Sequence, residues 1–592
     1  MYNKKNLLSL AFALAIMSSC KKSGSGNDNN NGGGNGGGAN TDTVYNPVDP
    51  QITASQGFFL EDWQPRSFIT PGFKLTSMPF DLVTDSVNVD LNKVITKVPK
   101  YIFGNNVNPY MTQIVDQPVL LGHINNLRPN VIRFPGGNIS SVYFWDADRN
   151  TVPADVADTL YDSNKNPYPA SPGEPHYTYW VGKNNEGWTL SLESYYSMMQ
   201  TTGSTGIITV NYPYARYGRG ANPVATAAHY AANWVRYDKG RTKFWEIGNE
   251  VSGPWQAGFK INTRQNKDGQ PEIINGDIYG KHFKIFCDSM RAAAAEVGAT
   301  IKIGAIIEAL DASNSWNVVS RTWNAEFYKA AGNYPDFFIV HDYFQNAGNS
   351  VGSILASAAY NTKETLDYIT ANTAANGVNM KPIALTEWNI WNSGSKQMVS
   401  NIAGMHATLA LGEMLNHKFG LANRWDFANG WNNGDDHGLF NNGTSNPAEP
   451  AWNPRPAFFH MYYFQKCVGD RLVQSTIKPI TAGGDLVSYA STFTSGQAAV
   501  ALVNKGADNR IVAVKFKQLT PGSKFYWYTL TGGSDNGDFS QKVFVNGTGP
   551  TGVAGGPGDY AGLKANASAL STNSLSVTVP ARSVVFLVAE RK

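Results

Sequence analysis

The feature that most constrains this chain is an alternation. Between Tyr101 and Gln465 short apolar, β-rich runs recur, each followed by a longer helical segment, the pattern of βα units around a parallel sheet. The runs are Tyr101–Gly104, Asn130–Phe134, Gly206–Asn211, Lys243–Gly248, Ile301–Gly304, Asp336–His341, Pro382–Thr386 and Leu421–Trp425. Eight such units predict a (β/α)8 TIM barrel of class α/β over residues 101–470; a doubly wound open sheet is the alternative. The largest insertion, Trp145 to Trp188, follows the second run and is rich in Pro, Tyr, Asn and Asp. It is expected to wall a substrate cleft on the face where barrel enzymes place their sites.

After Gln465 the helical pattern stops. Residues 471–592 read as alternating strands (Leu486–Thr492, Ala498–Asn504, Ile511–Phe516, Lys524–Tyr528, Ser574–Val579, Ser583–Val588) with Gly and Asn turns, a β-sandwich signature. Residues 44–100 also hold alternating strands, including Val87–Leu91. The economical arrangement is one accessory sandwich built from both ends of the chain.

At the N-terminus, Lys4 and Lys5 precede an apolar run from Leu7 to Met17 and then Ser18-Ser19-Cys20. These are the charged, hydrophobic and small-residue regions of a secretory signal, and the run is too short to span a bilayer. A cysteine directly after the small residues resembles a bacterial lipoprotein signal. We therefore expect residues 1–19 to be a signal peptide, Cys20 to be lipidated, and the Gly/Asn-rich segment through residue 43 to be a flexible tether. An exported protein, anchored by lipid to a bacterial membrane, follows. Cys287 and Cys467 sit in helical stretches and are expected to be unpaired.

The chain has 592 residues with 48 basic and 45 acidic side chains, a net charge of +3. That balance leaves no footprint for nucleic acid and favours neutral glycans. There is no phosphate-binding Gly-rich loop, no His-Glu-x-x-His helix and no Gly-x-Ser-x-Gly elbow, so phosphoryl transfer, zinc hydrolysis and serine esterase chemistry lack their machinery. Fifteen Trp, 28 Tyr and 29 Phe supply faces suited to stacking on sugar rings.

On a barrel, function sits at the C-terminal strand ends. The fourth run leads into Asn249-Glu250 and the seventh into Glu387-Trp388. Paired carboxylates across a cleft are what glycosidic cleavage requires, one to protonate the leaving oxygen and one to attack or stabilise the anomeric carbon. Singly, either Glu reads equally as an ordinary helix-terminal or exposed carboxylate. Glu246 reads as structural and Glu308 as ambiguous. Trp388, Trp391, Trp425 and Trp431 cluster after runs seven and eight, as sugar-stacking rings or rim packing. Asp435-Asp436-His437 reads as a solvated or sugar-binding turn rather than a cation loop, and no metal ligand set or cofactor is expected. His176 and Glu174 lie in the long insertion.

These motifs resemble the clan A retaining glycoside hydrolases. Within the clan, Arg133-Phe-Pro-Gly-Gly-Asn138, His341-Asp-Tyr343 and the mixed sandwich are similar to family 51, the α-L-arabinofuranosidases with some endoglucanases. The resemblance implies Glu250 as acid/base, Glu387 as nucleophile, and Asn138, Asn249, His341 and Tyr343 as sugar-positioning residues; by their position after runs seven and eight, Trp388, Trp391 and Trp425 are expected to line subsites. Arg133 is expected beneath the site, holding the nucleophile or bridging strands. One departure stands out: the family's Phe-Ile-Glu-His stretch after the first strand, whose Glu grips the furanose, is replaced here by Gly104-Asn105-Asn106-Val107. The expectation is therefore a lipid-anchored retaining glycosidase, endo-acting on a neutral plant or algal polysaccharide. The alternatives are an exo-acting α-L-arabinofuranosidase and a non-catalytic glycan-binding lipoprotein serving an uptake system.

Overall fold

The computed structural model describes residues 44–592 apart from 150, 158–159, 161–178, 346–347, 392–394, 430–435, 444–448, 481–483 and 535–536. The alternating runs close into a barrel of eight parallel strands: Gly104–Asn106, Val131–Phe134, Thr205–Val210, Thr242–Ile247, Lys302–Ile306, Phe337–Tyr343, Ile383–Asn389 and Leu421–Arg424. Helices between them start where the sequence provides a cap. Ser191, Asn275, Ser350 and Ser400 each accept a bond from a backbone N–H of the first turn, and Pro118, Pro223 and Pro456 occupy first-turn positions, where a missing N–H costs nothing.

Seven strands fall on the expected runs. The first does not: Lys100–Ile102 forms a 3-10 turn, and the strand is Gly104–Asn106. Tyr101 instead packs edge-on against Phe244 at 4.9 Å, in an aromatic plug with Phe59 and Phe337 at the N-terminal ends of the strands. The true first strand has poor β formers, and side-chain amides hold it. Asn423 Nδ2 donates to Asn105 O at 2.9 Å, and Asn106 Nδ2 donates to Thr386 O at 2.9 Å. Glycine is needed at 104 because a Cβ there would lie 2.5 Å from Ala422 O and 2.7 Å from Val131 Cγ1, across both neighbouring strands.

The C-terminal strands form an 11-stranded sheet that includes two strands from the N-terminal segment, Asp85–Lys97 and Phe73–Leu75. Asp85–Lys97 lies inside the sheet, antiparallel to Arg471–Pro479 and parallel to Arg510–Lys517. Alternate residues from both halves of the sheet, among them Val87, Val89, Leu502, Val514, Val577 and Leu587, meet in one buried cluster, as two layers of a sandwich require. The sandwich is joined to the barrel through helix Pro456–Cys467, where Tyr463 packs on Tyr528 at 4.6 Å. Tyr489 also donates to Glu413 Oε1 at 2.8 Å. Cys287 and Cys467 are buried and free.

Two glycines make opposite predictions. Gly104→Ala should sharply lower the thermal unfolding midpoint or the soluble yield, because its Cβ meets backbone on a closed barrel seam. Gly122→Ala, in an exposed helical position with nothing within 4 Å of the new Cβ, should raise stability by about 0.5–1 kcal/mol. Thermal unfolding followed by circular dichroism measures both.

Candidate active site

Arg133 is the centre from which the site is built. Its side chain is fully buried on the second barrel strand. Nε donates to Glu246 Oε2 at 2.6 Å, Nη1 to Glu387 Oε1 at 2.8 Å and to Asn106 Oδ1 at 3.1 Å, and Nη2 to Asn249 Oδ1 at 2.8 Å. Arg133 therefore does both things expected of it, holding Glu387 and bridging strands. Glu246 also accepts from Thr209 at 2.7 Å and is part of this buried framework, as its structural reading anticipated. Because Arg133 takes the Asn249 amide oxygen, Asn249 Nδ2 is left buried with no partner among the described residues.

Glu387 sits on the seventh strand with both oxygens held, one by Arg133 and the other by the Tyr343 hydroxyl at 2.8 Å. Burial, and after it the charges of Glu387 and Glu250, push the Tyr343 phenol well above its ordinary pKa, so it remains a donor. Glu250 is placed differently. It lies in the turn after the fourth strand with φ +44°, a left-handed conformation unfavourable for a side chain of this size. Its Oε1 pairs with His341 Nδ1 at 3.0 Å, and its Oε2 accepts from Trp255 Nε1 at 3.0 Å. One oxygen of Glu250, one of Glu387 and one nitrogen of His341 lie within 4.8 Å of one another.

The proton balance of this trio follows from its contacts. Burial pushes the Glu250 carboxyl up, but the His341 hydrogen bond and charge, the Trp255 bond and the Arg133 charge together hold it below the ordinary value. For His341, burial pushes the imidazole down, and the Glu387 charge with the Glu250 bond and charge outweighs it, raising the pKa. The resting site thus places a shared proton between His341 and Glu250. The same three residues could offer ligand atoms to a metal ion, although both Glu387 oxygens are already engaged.

A cavity of about 700 Å³ opens over this trio, with Glu250, Glu387, Tyr343 and Asn138 in its wall. The Trp425 indole packs close to Gly136 and Gly137, both with positive φ; a Cβ on Gly137 would fall 2.5 Å from it. Trp391 is 42% exposed at the rim, 4.8 Å from the His437 ring. Asn138 Oδ1 accepts from Gln256 Nε2 at 2.9 Å.

Several expectations need correction. Trp388 is buried, 1% exposed, and is absent from the cavity wall; the seventh strand runs on to Asn389, so alternation turns residue 388 away from the face that carries Glu387. The described residues of the 145–188 insertion do not line this cavity; Ala157 and Leu160 line a second one of about 340 Å³ beside Arg216. Asp436 is an anchor rather than an open turn, accepting from Arg455 at 2.8 Å and from the Gly438 N–H at 2.8 Å. Glu308 accepts from Ser252 at 2.8 Å, and burial raises its pKa. His176, Glu174, Trp431, Asp435 and Cys20 lie outside the described residues. His437, read as part of a solvated or sugar-binding turn, lies in the cavity wall, and sequence reading missed Asn108, Tyr110 and Trp255 there. Of these only Trp255, five residues beyond Glu250 in the same loop, carried a readable signal.

No family model matches the chain. It is 24% identical over 285 residues to intracellular exo-α-(1→5)-L-arabinofuranosidase 1 of Bacillus subtilis (strain 168), covering 45% of this chain and 48% of that one. A relative of the same function name from Acetivibrio thermocellus is 23% identical over 331 residues, 52% of this chain and 58% of its own length. The chain thus spans about half the length of the curated relatives it matches. Among solved structures, an α-L-arabinofuranosidase from Thermotoga maritima aligns with TM-score 0.57 and 18% identity, over 85% of this chain and 99% of its own. A Paenibacillus polymyxa xyloglucanase of glycoside hydrolase family 44 aligns with TM-score 0.53 and 11% identity, over 86% of this chain and all of its own. The fold is that of these barrels, and the resemblance to family 51 that the motifs carried is met again in these comparisons. The curated relatives are named as intracellular, which overturns the expected exported, lipid-anchored location, and the uptake-system partner loses its ground with it. Among the described residues no helix is long and apolar enough to cross a membrane.

The His341 assignment has a direct check. In Glu250→Gln the hydrogen-bonded carboxylate is gone and burial opposes the cation with less resistance, so the His341 pKa should fall. Histidine NMR titration of the two proteins measures the shift; an unchanged value would remove the pairing.

Proposed function

We propose that the protein is a retaining glycoside hydrolase that releases α-L-arabinofuranosyl units from the ends of neutral glycans. The observation that carries the chemistry is the carboxylate pair. Oxygens of Glu250 and Glu387 within 4.8 Å of one another support the ~5–5.5 Å spacing of retaining enzymes over the ~6.5–9.5 Å of inverting ones. The arabinofuranosyl and exo assignments are supported by the names of the curated relatives.

Glu387, held on both oxygens, attacks the anomeric carbon. The bond to the departing oxygen breaks as Glu250 delivers its proton there, leaving a glycosyl ester on Glu387. Water then attacks the ester, Glu250 takes its proton, and sugar is released with its configuration retained. Tyr343, Trp425 and Trp391, all in the cavity wall, would bind the sugar, and Asn249, buried behind that wall, would offer it the Nδ2 that Arg133 leaves without a partner. His341 sets when Glu250 can act as acid. The productive form, Glu250 protonated beside neutral imidazole, is a tautomer of the resting ion pair, so the acid is lost only when the pair as a whole loses its proton.

A second reading, endo action on a longer glycan, is favoured by one observation. No Glu stands at the end of the first strand, where Gly104-Asn105-Asn106-Val107-Asn108 runs and the family's furanose-gripping Glu is expected. Product sizes from arabino-oligosaccharides and from xyloglucan separate the two.

Turnover of 4-nitrophenyl α-L-arabinofuranoside and of 1,5-linked arabino-oligosaccharides tests the proposal. Glu387→Gln should abolish both. Glu250→Ala should cut oligosaccharide hydrolysis by about 10²–10⁴-fold and the aryl substrate less, since nitrophenolate leaves without a proton; azide should restore it as a glycosyl azide of retained configuration. Full activity in Glu387→Gln would overturn the mechanism. In His341→Asn the proton that arms Glu250 has one site instead of two, so the alkaline limb of the kcat/KM profile should move to lower pH.

A further inference from the structure

The second cavity, of about 340 Å³, shares one loop with the first. Trp255 stands in the wall of the catalytic cavity, and Ala257 and Gly258 stand in the wall of this one. Among the described residues its wall carries three cations, Arg216, Arg219 and Lys260, and no carboxylate. Arg216 is 1% exposed, and its acceptors are all neutral. Nε donates to Gly258 O at 3.1 Å, Nη1 to Gln270 Oε1 at 2.8 Å, and Nη2 to Pro271 O at 2.9 Å and to Glu272 O at 3.2 Å. A guanidinium has five N–H groups, so one on Nη1 is left over. The Arg219 side chain makes no hydrogen bond or ion pair among the described residues.

Two side-chain amides of the same wall add donors. Asn266 Oδ1 accepts from the Gln270 N–H at 2.8 Å and Asn262 Oδ1 from the Arg264 N–H at 3.1 Å, which leaves each its amino group. Asn266 Nδ2 is buried with no partner among the described residues. The carboxylates nearby are engaged elsewhere: Asp155 accepts from the Tyr214 hydroxyl at 2.6 Å and Asp268 from Gln270 Nε2 at 2.9 Å. Glu272 reaches Lys260 at 3.3 Å in an exposed pair, of a kind that holds weakly. Burial accordingly lowers the Arg216 pKa, and Tyr212 and Asp268 offset only part of that. A buried cation without a paired carboxylate, beside a buried donor without an acceptor, costs stability unless a ligand supplies what both lack. Such a ligand brings negative charge and several acceptor oxygens.

We infer that this cavity is an accessory oxyanion site, which takes a carboxylate or phosphate group against Arg216, Arg219 and Asn266. Guanidinium forks match both groups, and a volume of about 340 Å³ lies at the small end of ligand cavities, enough for one monosaccharide or a free anion. A uronic acid residue of a glycan and inorganic phosphate both carry the required chemistry. The site is independent of the proposed reaction: the sugar cleaved at the carboxylate pair stays neutral, and the acidic group is met outside that cavity. The net charge of +3 does not display it, because acidic side chains elsewhere on the chain balance the local cations.

Isothermal titration calorimetry of the full chain at a fixed ionic strength of about 0.15 M, where long-range attraction is screened, tests this with inorganic phosphate, methyl α-D-glucuronide and methyl α-D-glucoside. One saturable site per chain is expected for phosphate, for the glucuronide or for both, and none for the glucoside; the tighter of the two anions identifies the source. Asn266→Asp keeps an oxygen for the Gln270 N–H and exchanges the unpartnered donor for an anionic acceptor, so affinity should fall by about 10- to 100-fold. Arg219→Gln removes a partly exposed cation without touching the core and should also weaken binding. Circular dichroism confirms that each variant is folded. Wild-type affinity in either folded variant, glucoside binding as tight as that of the glucuronide, or no saturable binding of either anion overturns the inference, and each of these results leaves the glycosidase reading standing.

Discussion

The structure of the site depends on one buried cation. Arg133 carries bonds to Glu246, Glu387, Asn249 and Asn106, and so ties the second barrel strand to the fourth, the seventh and the first. Burying a guanidinium with two carboxylates is expensive, and neutral packing of the same volume is often as stable. Such a network is justified by the geometry it imposes. With its two terminal nitrogens and Nε all committed, Arg133 cannot turn without breaking several charged bonds. The Glu387 oxygen it holds and the Asn249 nitrogen it leaves free are therefore placed before any sugar arrives, the preorganisation that lowers a barrier most.

The two glutamates differ because their supports differ. Glu387 is on a strand inside the barrel wall, gripped by a permanent cation and by a phenol that stays protonated. Glu250 is in a strained turn, and its partner, His341, is itself titratable. One proton is shared between the two groups. The roles proposed for them, a nucleophile and an acid that must give up and regain a proton, call for unlike supports, and here the difference arises from which element carries each residue.

Much of the fold was legible because barrel strands buried on both sides are written as continuous apolar runs. Runs such as Ile207-Ile-Thr-Val210 and Phe337-Phe-Ile-Val340 have few other interpretations. Gly104-Asn105-Asn106 was illegible for the converse reason: its stability comes from amide bonds to strands far away in the chain, which no local propensity encodes. The site shows the same division. Glu250, Glu387, His341 and Tyr343 were readable because strand ends point to one place. Trp388 was misread because the strand continues two residues past Glu387, and a single step along a strand reverses the face. Asn108 and Tyr110 could not be found once the first strand had been placed three residues too early.

The misplaced strand is also where the chain departs from its resemblance, and the two facts share a cause. In family 51 the end of the first strand brings a glutamate to the sugar. Here that corner carries Asn108, whose amide nitrogen donates to the buried Asp426. The Arg133 bonds go to Glu246, Asn106, Glu387 and Asn249 and to neither Asn108 nor Asp426, so this corner can differ while the framework that holds Glu387 stays the same.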